Sequence, residues 1–443
     1  MNVCIVTFRH VSYNPRVVKE ADSLSSKGHN VTVVTICNNS EQAVLDEGIM
    51  VKRSWRLLTV KSRCCGGVEK FRWFRFSVRQ RLYAAYFSHL TLGCGVAERA
   101  QGREYPELRR LACSVKADIY IAHHAECLGA AYAAARQRNA RFAFDAEDFH
   151  SGMFVASRVE AFPGELNLEK LLEQSGRQHK CAEQQRIEYL ERKYLPLCGY
   201  ITAASDGIAE AYTRTYNLRR PTTILNVFPL ETLPVRKGES VNEPEGVIRH
   251  SPFSIHRLYW YSQVIGPGRG LEEAVEALAL LQYPCELHLR GTSSEPFVTE
   301  LTKFAVTLAV QDRLIIHPPC PPDDLIFEAA QYDIGLALEN TVEMNRLICV
   351  TNKIFSYMNA GLAIIATDTI GQRGVMAGAP DVGLLCRMND AESLAAAINQ
   401  MLESPEMLAK CRLASRRAAE VQFNWGIESE LLVCLVEKTG QHL

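Results

Sequence analysis

No stretch of this 443-residue chain holds the about 18 consecutive apolar residues that a membrane-spanning helix requires. The N-terminus, "MNVCIVTF", lacks the basic-then-apolar-then-small order of an export signal and runs straight into polar sequence. No C-x-x-C pair occurs among the 15 cysteines, and the one vicinal pair is Cys64–Cys65. Without an export signal, these cysteines read as free thiols in a reducing cytoplasm, and without ligand spacing no structural metal is expected. The G-x-G-x-x-G dinucleotide fingerprint is missing, which disfavours an NAD-linked oxidoreductase. A P-loop and a Ser–His–Asp nucleophile elbow are missing too.

What is present is ordinary for a soluble globular enzyme: 47% apolar and 22% charged residues. Net charge is only −1, yet the two halves differ. Residues 1–230 hold 32 Lys/Arg against 23 Asp/Glu, whereas 231–443 hold 17 against 27. Length and charge asymmetry together predict two domains with different partners.

The pattern alternates short apolar strands with helices. "MNVCIVTF", "HNVTVVTI", "GIMVKRS", "DIYIAH" and "RFAFDAE" read as five strands, and "GYITAASDGIAEAYTRTYN" adds a strand–helix unit capped at Ser205 or Asp206. The polar, aperiodic stretch 231–252 reads as a linker. Alternation then resumes through "RLYWYSQV", "CELHLRG", "RLIIHP", "DIGLALE", "LAIIATD" and "GLLC", and the tail "NWGIESELLVCLVEKTG" reads as a last amphipathic helix. The expectation is an α/β chain of two doubly wound parallel sheets, Rossmann-like, whose ligand-binding edges face a shared cleft.

Two stretches in the second half point to a phosphate. In "YWYSQVIGPGRGLEEAVEALALL" a strand ends near Val264, Gly266, Gly268 and Gly270 follow, and a helix opens at Leu271. Glycines let backbone approach a ligand, the helix start offers free N–H groups, and Arg269 can fork onto phosphate oxygens. In "TNKIFSYMNAGLAIIATD" a short helix carries Lys353 in its first turn, where a cation meets the positive end of the helix dipole. An anion there offsets the repulsion. Two cations and two helix starts at one sheet edge suit a diphosphate.

These motifs, together with "NPRVVKEADSLSSKGHNVTVVT" and "YITAASDGIAEAYTRTYNLRRPTTILNVFP", resemble in order the signatures of retaining glycosyltransferases of family 4. The resemblance implies the GT-B fold: an acceptor-side domain over 1–230, a linker over 231–252, and a nucleotide-sugar domain over 253–423, with the helix 424–443 packed back on the first domain. It implies a hexosyltransferase acting with retention on a nucleotide-diphospho-sugar, without cofactor or metal. Arg269 and Lys353 match the diphosphate-binding residues. Gln263 stands where many members carry an arginine, and Ser356 where a glutamate usually holds the ribose, its hydroxyl expected to reach the sugar instead. The other family glutamate falls at Ile348, with Glu339 or Glu343 as its substitute. Glu147 takes the place of a histidine usual in the fifth-strand loop, and His150 can fill that space.

By residue chemistry alone, "FAFDAEDFHSG" gathers Asp145, Glu147, Asp148 and His150 at a strand end, where an acceptor base or a group that orients the sugar is expected. His123 and His124 end the fourth strand, one of them expected to pack. Residues 52–81 hold ten Lys/Arg and one acid, Glu69, with aromatics between them. That composition suits an anionic membrane surface and equally a nucleic acid; the fold that the resemblance implies disfavours nucleic acid, so the expectation is a peripheral membrane contact through Arg72, Trp73 and Arg75. A glycan or lipid-linked acceptor of envelope polysaccharide or glycolipid synthesis follows. Ser356 also leaves open a GT-B-shaped scaffold without activity, and the same fold also serves nucleotide-sugar epimerases.

Overall fold

The computed structural model of the chain describes residues 1–63, 67–154, 167–177, 179–233, 255–340 and 343–440. The strands form two sheets in which every neighbouring pair is parallel. The first contains β1 (Asn2–Val6), β2 (Asn30–Cys37), β3 (Arg56–Lys61), β4 (Ile119–His123), β5 (Arg141–Ala146), β6 (Tyr200–Ala203) and β7 (Thr222–Thr223), in the order β3-β2-β1-β4-β5-β6-β7. The second contains β8 (His256–Ile265), β9 (Cys285–Ser293), β10 (Leu314–His317), β11 (Ile334–Ala337), β12 (Ala363–Thr367) and β13 (Gly383–Cys386), in the order β10-β9-β8-β11-β12-β13. Central strands such as β4 and β12 are buried along their whole length, which is why they read as unbroken apolar runs. Chain order reverses between β1 and β4 in one sheet and between β8 and β11 in the other, and such switch points open a crevice at the carboxyl ends of the strands.

Local signals set several helix starts. Asn14 caps the helix Pro15–Ser26 by accepting from the Val17 N–H, and Ser205 caps Asp206–Tyr216 by accepting from Ile208. The third strand departs from expectation. Asn39 caps a helix, Ser40–Met50, that consumes the start of "GIMVKRS", and β3 forms six residues later from "RLLTVK". Cysteine chemistry also differs: Cys37 is disulfide-bonded, whereas the other described cysteines are free. Cys37 is the last residue of β2 and is buried, a placement that spacing along the chain cannot reveal. Cys64–Cys65 and residues 234–252 of the expected linker lie outside the described residues.

The two halves are stitched together twice. Met344, Leu347 and Ile348, from the second half, are buried in the apolar core of the first. The C-terminal helix, Trp425–Gly440, returns to the first half, where Val433 and Val436 pack with Val3, Ile5 and Val17. At the crossover, Trp425 N–H donates to the Phe228 carbonyl and its indole N–H to Ser23 Oγ, both at 2.9 Å.

A buried polar network fixes the first helix against both. Arg16 forks onto Asp145 at 2.5 and 2.8 Å and donates a third bond to the Ile224 carbonyl at 2.7 Å. Beside it, His123 places Nε2 2.7 Å from Glu20 and Nδ1 2.8 Å from Glu147. Burial works against the imidazolium, but Glu20, Asp145 and Glu147 outweigh it and push the pKa up to about 10.

Removing Arg16 leaves Asp145 charged and desolvated, so Arg16→Ala is expected to cost about 3–5 kcal/mol in urea unfolding. A loss below about 1 kcal/mol would show that Asp145 finds water. His123 titrates at 6.5 in a free chain and near 10 when folded. Its charge therefore stabilises fully below about pH 6.5, and the gain is lost as pH rises through about 10. The stability gap between the parent and His123→Gln should narrow over that interval; a constant gap would show a neutral His123.

Candidate functional site

The crevice of the second sheet is built on glycine. β8 bulges between Tyr261 and Val264 and ends at Ile265, and Gly268 and Gly270 take φ of 71° and 72° to turn the chain into the helix Leu271–Leu280. A Cβ on Gly270 would lie 2.9 Å from the Leu338 side chain, so only glycine permits the turn to close onto the end of β11. Asn340 tightens the contact by donating to Glu273 at 2.6 Å. Half-buried Arg269 sits in this turn, with no ion pair among the described residues.

On the other side of β11, the helix Asn352–Ala360 has no acid in its first turn. Its N-cap, Thr351, accepts no capping bond from the helix backbone and instead accepts from Lys353 Nζ at 3.2 Å. Lys353 is buried, lies over Trp260 at 5.4 Å and reaches Glu339 Oε1 at 3.4 Å. Burial lowers its pKa; Glu339 opposes the shift and the Arg269 charge adds to it. Two cations and two helix N-termini thus converge beside β11, with one carboxylate, Glu339, loosely facing them.

The remaining predicted donor-side residues are less uniform. Gly266 is buried in the turn and Gln263 is exposed at the bulge. Ser356 overturns the expectation that its hydroxyl reaches a sugar. It is fully buried, its one O–H donating to the Lys353 carbonyl at 2.8 Å while it accepts from Tyr261 at 2.9 Å, so the hydroxyl lies inside the fold rather than at a ligand-facing surface. Glu343 is exposed beside Arg346, 3.4 Å away. Ile348 is buried in the first half, its carbonyl accepting from Ser205 at 2.8 Å.

Across the crevice, Glu147 follows β5. Its Oε1 accepts from Asn14 at 2.7 Å and lies 2.8 Å from His123. Burial would favour its neutral form, but His124 and His123 hold the carboxyl well below the ordinary range. Glu147 is therefore a fixed negative charge rather than a proton acceptor poised near neutrality. His150 lies in a buried turn with Nδ1 3.0 Å from the Tyr212 hydroxyl, while Nε2 has no partner. Asp148 and the Phe149 N–H are both bonded to Asn345, at 2.9 and 2.7 Å, which joins this loop to the segment preceding Lys353.

His124 is the residue that sequence reasoning left ambiguous. It adopts φ 70° and ψ 152°, a region that side chains other than glycine's rarely occupy and that concentrates at functional sites. The ring is 1% exposed, neither nitrogen has a hydrogen-bond partner, and Nε2 lies 3.8 Å from Glu147 Oε2. Phe8 meets it edge-on at 4.9 Å and His150 at 5.8 Å. Burial lowers the pKa of both histidines, and the Glu147 charge opposes the shift. The signal available in the sequence was the His-His pair at the end of the fourth strand, at the switch point.

Among the described residues, one group offers clustered metal-ligand atoms: Glu20, His123 and Asp145. Both nitrogens of His123 already face carboxylates and both oxygens of Asp145 hold Arg16, so the set is closed on itself. In the basic segment, Arg72 and Arg75 are exposed as expected. Trp73 is not on that face: it is held between the guanidinium groups of Arg63 and Arg103, 5.0 and 5.2 Å from its ring.

Residues 255–418 match the family model Glycosyl transferases group 1. No curated protein matches the chain. Among solved structures, sucrose-phosphate synthase from Thermosynechococcus elongatus superposes with a TM-score of 0.65 at 14% identity, covering 100% of both chains. HepE from Anabaena, in complex with UDP and glucose, superposes at 0.62 and 12% identity over 99% of this chain and 100% of its own. WaaG, a glycosyltransferase involved in lipopolysaccharide biosynthesis, does so at 0.54 and 12% over 98% and 99%. The chain therefore has the two-sheet GT-B fold of these structures, and its second half carries a Glycosyl transferases group 1 domain.

Proposed function

We propose that this chain is a retaining glycosyltransferase of family 4 that moves a hexose from a nucleotide-diphospho-sugar to a hydroxyl acceptor. The observation that carries the reading is the convergence of Arg269, Lys353 and two helix N-termini at the switch point of the second sheet. Departure of the nucleoside diphosphate leaves negative charge on the bridging oxygen as an oxocarbenium-like sugar develops. Donors preorganised for that charge lower the barrier. Lys353 moves from its 3.4 Å contact with Glu339 to the phosphate, and Glu339 is then free to accept from the ribose. Neutralisation falls to side chains, so the reading assigns no cofactor or metal.

Facing them, His124 contacts the transferred sugar or the incoming hydroxyl, with the charge of Glu147 behind it and His150 bordering the same space. The hydroxyl attacks from the face that the diphosphate leaves, without a protein nucleophile, and its proton passes to the departing phosphate oxygen as the bond from that oxygen to the anomeric carbon breaks. HepE, which shares the fold, is described with UDP and glucose, and WaaG is involved in lipopolysaccharide biosynthesis. Those descriptions support a UDP-sugar donor and a glycan or lipid-linked acceptor in envelope polysaccharide or glycolipid synthesis. No described helix is long and apolar enough to cross a membrane, and the reading places the enzyme in the cytoplasm. One observation favours an inactive binding protein instead: buried Ser356 replaces the ribose-binding glutamate.

The assay is release of UDP from UDP-glucose with a panel of acceptors, and nuclear magnetic resonance of the product reads its anomeric configuration. Arg269→Ala and Lys353→Ala are each expected to lose about 1.5–3 kcal/mol of transition-state stabilisation, roughly ten- to a hundredfold in kcat/KM. His124→Ala should lower kcat more than it weakens UDP binding. Parent rates in all three variants would contradict the site, and nucleotide binding without turnover over a wider donor panel would favour the inactive reading.

A further inference from the structure

Helix Gly67–Leu82 continues through a π turn, Tyr83–Phe87, into Ser88–Leu90, giving one helical run of residues. Its inner side is anchored: Phe76 is buried, and Arg79 bonds Glu107 at 2.6 Å and the Arg103 carbonyl at 2.7 Å. The outer side is unusual for a soluble protein. Phe71, Phe74, Val78, Leu82, Tyr86 and Leu90 are 40 to 71% exposed and recur at steps of three or four residues. In a 3.6-residue helix, repeated four-residue steps drift by about 40° each, and the stripe would wind out of line. The wider π turn lies where that drift accumulates and takes it up, so Tyr86 and Leu90 stay on the same side as Phe71. A contiguous apolar face of this size marks a contact surface.

Charge identifies the occupant. Lys70, Arg72, Arg75 and Arg81 border the stripe, are exposed and have no ion pair among the described residues; Glu69 is the one acid of the helix. A second copy of the chain, docked face to face about a twofold axis, would set these cations against themselves. A sheet of anionic headgroups over an apolar interior satisfies both the cations and the stripe. We infer that the helical run 67–90 lies in the surface of an anionic lipid bilayer, with Phe71, Phe74, Val78, Leu82, Tyr86 and Leu90 entering the acyl boundary. The run leaves the carboxyl end of β3, the sheet edge that also carries His124 and Glu147, so the crevice is held close to the lipid. This inference rests on the exposed face and stands whether or not the chain transfers sugar.

The test is co-sedimentation of the full chain with phosphatidylcholine vesicles, with and without phosphatidylglycerol, in the absence of nucleotide. The parent is expected to sediment with the anionic vesicles, less so as salt rises, and to stay in solution with the neutral ones. Phe71→Ser/Phe74→Ser and Arg72→Glu/Arg75→Glu should each weaken partitioning about tenfold or more while leaving the urea midpoint in place. Because these side chains are exposed, loss of fold does not confound the result. A parent that stays in solution with anionic vesicles would overturn the inference. So would a lipid-free dimer, by light scattering, that Phe71→Ser/Phe74→Ser dissociates.

Discussion

The relation between the two sheets depends on one desolvated guanidinium. Arg16, on the first helix, holds Asp145 at the end of β5 and the Ile224 carbonyl at the start of the crossover. One turn on, Lys19 donates to Asn226 Oδ1 at 2.7 Å and to the Val227 carbonyl, and packs over Trp425 at 4.7 Å. Burial and the neighbouring Arg16 charge lower the Lys19 pKa to about 7, although Glu147 and Glu428 oppose them. A buried ion pair adds little net stability over an apolar pair of the same shape, because desolvation offsets the attraction. What Arg16 and Lys19 contribute is direction: they bind a strand end at the crevice to both chain crossings, so the sheets meet in one register.

That register lets the second half answer the question raised by Lys353. A lysine at a helix start, under Trp260 and near Arg269, is held where burial and like charge both disfavour its cationic form. Glu339, at 3.4 Å, offsets this only in part. The arrangement stores attraction for an anion, and the proposed diphosphate would answer it because Arg269, the helix starts and Lys353 lie on one sheet edge. His124 shows the same economy on the opposite wall: a strained backbone and an unpartnered ring are retained beside Glu147.

Much of this was legible in the residues. Strand–helix alternation, the glycine turn before Leu271 and the lysine after Thr351 are local signals, set by burial on both faces of a parallel sheet and by backbone that only glycine adopts. The features that escaped reading depend on contacts between distant segments. Ser356 is held inside the fold by Tyr261, 95 positions earlier in the chain. Glu147 owes its charge to histidines on β4 and after it, and Trp73 is turned inward by Arg63 and Arg103. The third strand moved because an Asn39 cap extended a helix over residues that also suit a strand.

Proton linkage tests the diphosphate reading most directly. A phosphate beside Lys353 raises the pKa that burial has lowered, so UDP binding should draw in a proton where free Lys353 is partly neutral. Isothermal titration of UDP in alkaline buffers of different ionisation enthalpy measures that uptake. Net proton uptake in the parent, abolished in Lys353→Met, is the expected result; no binding heat, or equal uptake in both proteins, would contradict it.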